Sequence, residues 1–261
     1  MPLAQILLSN MPPLALCAIM MGAAAILSVA GTLIFHRFIP HRSLKVHNDI
    51  AGPIFNTLGV IYAVLLGFVV VVVWEDFDHA RMNVEMEASC LNSIYIDSGA
   101  FEKSFKQDVR SGVAAYAGAT IDEWDALARG GHSLKADEAL KNLVGLYSNY
   151  LPANETEKVF FTESVIRSNK LLDLRMLRLI DANEGVHPLL WFVLTAGGVI
   201  TIIFTIFFGT DNLRAKIIMS ALLAMSIAIV LFTVLEFSLP FTGFAKVSCE
   251  SFRQLLVQLG L

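Results

Sequence analysis

The sequence predicts an all-α membrane protein with four transmembrane helices and a helical domain of long hairpins inserted between spans two and three. Three observations carry this reading. Of 261 residues, 56 % are apolar and only 16 % charged, with a mean hydropathy of +0.64, which is too oily for an ordinary globular domain. Four runs lack Lys, Arg, Asp and Glu altogether: Leu14 to Phe35, Ile54 to Trp74, Leu189 to Phe208 and Ile217 to Leu235. Each holds roughly 20 residues, enough for a helix to cross about 30 Å of hydrocarbon. Between the second and third runs, apolar residues recur at helical spacing and strand alternation is nowhere sustained.

No Lys or Arg precedes Arg37, so the first run is expected to be a retained span rather than a cleaved leader. The second run ends in five valines, Val69 to Val73. Valine favours strands in water, but a lone strand in lipid would leave its backbone N–H and C=O groups unpaired at several kcal/mol each, so this segment must be helical. Trp74 then suits the headgroup layer, and Glu75, Asp76 and Asp78 mark the end of the membrane. The expected division is 1–74 for spans one and two, 75–187 for the extramembrane domain, and 188–261 for spans three and four with a C-terminal tail.

In the middle segment, Ala80, Val84, Ala88, Leu91 and Tyr95 continue a stripe out of the second span, predicting one helix that runs past the membrane surface. Phe105, Val109, Val113, Tyr116, Thr120, Trp124 and Leu127 define a second helix; Leu140, Val144, Tyr147 and Leu151 a third; Val165, Leu172, Met176 and Leu179 a fourth that returns to the membrane. Gly130-Gly131 and Pro152 with Asn154 separate them. Acids outnumber Lys and Arg here by 19 to 12. Glu85 and Glu87 on the outgoing helix lie about as far out as Arg178 and Arg175 on the returning one, so exposed helix-to-helix ion pairs are expected, worth at most about 1 kcal/mol each.

Nearest the membrane, Glu75, Asp76, Asp78, Asp181 and Glu184 form an acidic group that a ring of subunits would turn into a collar attracting cations. Gly59, Ala63 and Gly67 in the second span, and Ser220, Ala224 and Ala228 in the fourth, are spaced for close helix packing within or between chains. The other side of the second span offers Tyr62, Leu66, Val69 and Val73, candidates for a hydrophobic constriction. Glu236, at the end of the fourth span, is either an interfacial acid or part of an ion pathway.

Catalytic signatures are missing: there is no Walker loop, G-x-S-x-G, H-E-x-x-H or C-x-x-C, so an enzyme is not expected. Glu75, Asp78 and His79 share a helical face and Glu184 to His187 has E-x-x-H spacing, but Gly185 and Pro188 break the helix there. No metal and no cofactor are expected. His36, His41 and His47 share a basic loop suited to lipid headgroups, and Cys17, Cys90 and Cys249 are too scattered for a disulfide framework. Arg37, Arg42 and Lys45 after span one, with Arg214 and Lys216 after span three, place both short loops in the cytoplasm and the helical domain outside it.

The run HNDIAGPIFNTLGVIYAVLLGFVVVVVWEDF, then VEMEA, FFGTDNLRAK and PFTGFAKVS, resembles the bacterial bestrophin-like membrane proteins from about His47 to Leu261. Bestrophins are ring-shaped, usually pentameric anion channels with four membrane helices per subunit and an apolar neck on the second. The resemblance implies a homo-oligomer in the bacterial inner membrane whose partners are inorganic ions and lipid, not nucleic acid, with a pore along the second span. Bestrophins keep their large helical region in the cytosol, whereas the loop charges here favour the other face. The acidic collar favours cations over chloride. The alternative reading is a membrane-anchored helical sensor or scaffold without conduction.

Overall fold

A computed structural model describes residues 5, 8, 11–38, 48–210 and 212–260. Among them the chain forms eight α-helices: α1 (Pro13–Phe38), α2 (Asn48–Asp97), α3 (Lys103–Leu127), α4 (Leu134–Leu146), α5 (Glu155–Asp181), α6 (Pro188–Ile206), α7 (Leu213–Phe237) and α8 (Glu250–Gln258). The four predicted spans correspond to α1, α2, α6 and α7, each long and apolar enough to cross a membrane, the third ending at Ile206 rather than Phe208. His41, Arg42, Lys45 and His47 fall outside the described residues.

Local chemistry sets the helix ends. Pro188 opens α6, where a missing N–H is no loss, and the ring of His187 accepts the Leu189 N–H at 3.2 Å. Asn212 caps α7 by accepting from Ala215 N–H, and Asn154 caps α5 by accepting from Glu157 N–H at 2.8 Å. Gly130 turns the chain after α3 at φ +72°, a conformation that favours glycine.

The chain divides into two compact units. The first comprises Asn10–Glu75 and Gly185–Ser238. Here α1 packs closely on α7: Ser28 Oγ donates to Ser220 Oγ at 3.1 Å, Thr32 Oγ1 lies 3.3 Å from the same oxygen, and Ala224 and Ala228 are buried. Burial of apolar surface drives nothing in lipid, so small side chains and hydroxyl contacts carry this seam. The membrane part of α2 packs through Tyr62, Leu66, Val69 and Val73 against Leu194, Ile227 and Val234. Tyr62 OH donates to the Leu194 carbonyl at 2.8 Å, and its ring lies on Gly197 and Gly198, so close that a Cβ at Gly197 would come within 2.6 Å of it. The start of α2 is held by the Asn48 amide, which bonds both the N–H and the C=O of Gly209, and by Phe55 against Phe204 and Phe208. Trp74 meets Phe237 edge-on at 5.1 Å.

The second unit comprises Met1–Ser9, Asp76–Glu184 and Leu239–Leu261. All seven positions of the predicted α3 stripe are buried, as are Ala80, Val84, Ala88 and Leu91 of α2. Three expectations need correction. The stretch after α7 is not a tail: Phe241, Val247, Phe252 and Leu255 enter the core, where Trp124 Nε1 donates to the Val247 carbonyl and Thr242 Oγ1 to that of Ala128. On α5, Leu172 and Met176 are exposed, and the buried face is instead Ser164, Ser168, Leu171, Leu174, Arg175 and Arg178. Leu151 is likewise exposed, because α4 ends at Leu146 and passes through a 3₁₀ turn.

Gly197→Leu is expected to destabilise the membrane unit by about 1–3 kcal/mol through overpacking against the Tyr62 ring. Thermal unfolding in detergent should show the loss, and a second substitution, Tyr62→Ala, should recover part of it.

Candidate functional site

The second span has two faces of different fate. Tyr62, Leu66, Val69 and Val73, expected to line a pore, are 2–9 % exposed and enclosed by their own chain. That expectation is corrected: a side chain filled in by Leu194, Ile227 and Val234 of the same subunit leaves no room for a conduit. On the opposite face, Thr57, Val60, Val64, Gly67 and Val71 are exposed, at spacings of three and four. The sequence had no way to tell these faces apart, because both are apolar. Of the expected packing stripe, Gly67 lies on this exposed face and Gly59 and Ala63 lie beside it, and a Cβ added at Gly59 or Gly67 would meet nothing within 4 Å. The Ser220, Ala224, Ala228 stripe is used inside the subunit, against α1.

Past Trp74 the same face of α2 continues as Glu75, Asp78, Met82, Glu85 and Ser89. Glu75 and Asp76 are exposed, but Asp78 is not uncompensated: Arg81 donates to it at 2.6 Å and lies 3.6 Å from Glu85. These are surface pairs, weak individually. On α5, Asp181 accepts from Asn83 Nδ2 at 2.8 Å. Burial raises its pKa, the Asn83 bond opposes this, and the nearby charges of Glu184 and Asp76 add to it. Glu184 is exposed just beyond the helix end. Glu236 is 5 % exposed, packed inside the chain. Among the described residues no three His, Cys, Asp or Glu side chains stand together as a metal-binding group.

The most concentrated chemistry lies within the helical unit, where sequence reasoning expected only exposed pairs. Arg178 and Glu87 are both fully buried and paired at 2.7 Å. Arg178 also donates to Glu123 at 3.1 Å and lies over the Trp124 ring, 5.4 Å from its centre. Arg175 grips Glu123 with two parallel bonds of 2.9 and 3.0 Å and reaches Asp137 at 2.6 Å. Tyr116 OH donates to Glu87, and the Ser133 N–H to Glu123 at 2.6 Å. Glu85, by contrast, stays outside with Arg81. Burial raises the pKa of Tyr116, which keeps it a protonated donor. Burial alone would also raise Glu123, but its bonds to Arg175, the charge of Arg178 and the Ser133 N–H outweigh this and hold it below its ordinary value. Burial works against the charge on Arg175 and Arg178 too, yet the carboxylates prevail and raise both. The network draws on α2, α3, α4 and α5 and fixes their register. Its signal in the sequence was the run Ser164, Ser168, Leu171, Arg175, Arg178, which has helical period but too little hydrophobicity to register as a core face.

Four membrane-length helices joined to a bundle with a charged core define a class of helical integral membrane proteins. The bestrophin-like domain matches residues 22–252, and the chain belongs to that family. Solved structures of a bacterial bestrophin homologue from Klebsiella pneumoniae share the fold. One has a TM-score of 0.69 at 14 % identity, covering 92 % of this chain and 99 % of the other. A second has 0.69 at 13 % identity, covering 91 % and 97 %. A structure described only as a membrane protein variant gives 0.70 at 14 % identity, covering 92 % and 99 %. No curated protein matches the chain.

Two outcomes test the charged groups. Glu87→Ala leaves the buried Arg178 charge with Glu123 as its remaining carboxylate and is expected to cost about 3 kcal/mol, read as a lowered unfolding midpoint. Because the folded pKa of Asp181 is raised, its favourable share in stability is complete at acid pH and is lost as pH rises through that pKa. Asp181→Asn should therefore stabilise the protein at neutral pH, the gain shrinking as pH falls toward the ordinary aspartate value of 3.8, and melts across this range measure it.

Proposed function

We propose that the chain assembles as a homo-oligomeric ring, a pentamer in the usual manner of bestrophins, and conducts ions passively through a pore lined by the exposed seam of α2. The observation that supports this is the continuity of that seam. Thr57, Val60, Val64, Gly67 and Val71 pass without a break in periodicity into Glu75, Asp78, Met82 and Glu85 on one 50-residue helix. Lipid contact would account for the apolar half alone. A neck of valines followed by an acidic stretch is also the order expected of a hydrophobic constriction opening into a charged mouth. Gly59 and Ala63 beside it give a neighbouring subunit's helix room to approach.

On charge grounds the mouth favours cations over anions. Glu75 and Asp76 contribute most to this preference, since Asp78 shares its charge with Arg81. The charges flanking the short loops support a place for the helical unit on the extracytoplasmic face of the inner membrane. A reporter fused after the C terminus reads that orientation directly.

The test is cysteine replacement in a protein whose three native cysteines are changed to alanine, reconstituted in liposomes with sodium, potassium and chloride gradients. Charged thiol reagents should block flux at positions 60, 64 and 71 and leave positions 62, 66 and 69 untouched; the reverse pattern returns the pore to the buried face. Glu75→Gln with Asp76→Asn should lower cation permeability relative to chloride more than Asp78→Asn does. An intact oligomer that passes no ion would instead favour the scaffold reading.

A further inference from the structure

The helical unit carries an excess of acid, yet one cavity in it has no carboxylate among its described lining residues. This cavity of about 690 Å³ lies along the first three turns of α3, against the end of α2 and the residue after α8. Lys103, Lys106, Gln107 and Arg110 line it at helical spacing, and Tyr95 and Leu259 belong to the same lining. Arg110 is held in place: its guanidinium stacks on Tyr95, 4.2 Å from the ring centre, and its Nε donates to Ser98 Oγ at 3.3 Å. The nearest buried acid on α2, Asp97, is engaged by Arg167 and does not line the cavity. Among the described residues no carboxylate lies within ion-pair distance of Lys103, Lys106 or Arg110, whereas Arg81, Lys135, Lys158, Arg167, Arg175 and Arg178 all have one.

We infer that this cavity binds a small, soluble, phosphate-bearing anion. Three cations on one helical face call for a ligand of more than one negative charge. A planar, fixed guanidinium with two flexible ammonium groups suits phosphate oxygens, one by paired N–H bonds and the others as point charges. The volume falls in the range of small-molecule sites and exceeds the needs of a single phosphate group. The ligand is therefore a diphosphate or a phosphate ester whose carbon part rests on Tyr95, Phe101 and Leu259. The site is independent of the proposed pore and of whether the chain conducts.

Calorimetric titration of the full-length protein in discs of neutral lipid, with inorganic pyrophosphate as probe, tests it. Saturable binding that weakens with salt is expected, as is about a tenfold or greater loss of affinity in Lys103→Gln with Lys106→Gln. Both side chains reach the surface of the unit, and a thermal melt checks that this variant folds. Lys141→Gln, exposed on α4, should bind as the parent does. No saturable binding, or equal affinity in the double variant, overturns the inference. Equal binding of citrate overturns the phosphate class. Binding only to vesicles that contain anionic phospholipid overturns the soluble ligand in favour of a headgroup.

Discussion

The fully buried contact of Arg178 with Glu87 is the constraint on which the helical unit depends. Two ions removed from water are tolerated only because each finds more than one partner: Arg178 reaches Glu123 and the face of Trp124, and Glu87 takes a bond from Tyr116. A buried pair of this kind adds little net stability over a well-packed apolar core, while any one-sided loss is severe. Its effect is therefore on which arrangement the helices adopt. A bundle of amphipathic helices can slide or rotate with small loss of hydrophobic contact, but it cannot move Arg178 away from Glu87 without leaving a charge in the core.

The membrane unit solves the same problem with other means. Lipid gives no reward for hiding leucine, so specificity comes from close approach and from backbone groups. Tyr62 illustrates both, its ring seated on Gly197 and Gly198 and its hydroxyl on the Leu194 carbonyl. The hydroxyls of Ser28, Thr32 and Ser220 do the same for α1 and α7. Once these contacts have consumed one face of α2, the valine face opposite is left exposed on the single chain.

The spans, the unbroken passage of α2 out of the membrane and the inward face of α3 were legible in the sequence, because each rests on a single strong periodic signal. Three features were not. The inward face of the α2 span could not be chosen, since Tyr62 and Val64 belong to stripes of equal hydrophobicity. The α5 core face was misread because Ser164, Ser168, Arg175 and Arg178 are polar by residue type, and the two arginines are buried only by virtue of partners 38 to 91 residues away. The C-terminal stretch carries its anchors, Phe241, Val247 and Phe252, on a short helix and loops whose pattern is too brief to announce a core. Partner choice at long range is what one-dimensional patterning lacks.

A helix of 50 residues is a rod about 75 Å long, and the one proline inside α2, Pro53, sits ahead of the valine seam. Glu87, on the stretch of that rod inside the helical unit, is clamped by Arg178 and Tyr116. An axial turn of that stretch against its neighbours would have to tear an ion pair from a dry core, so within the helical unit twisting is closed off as an everyday motion.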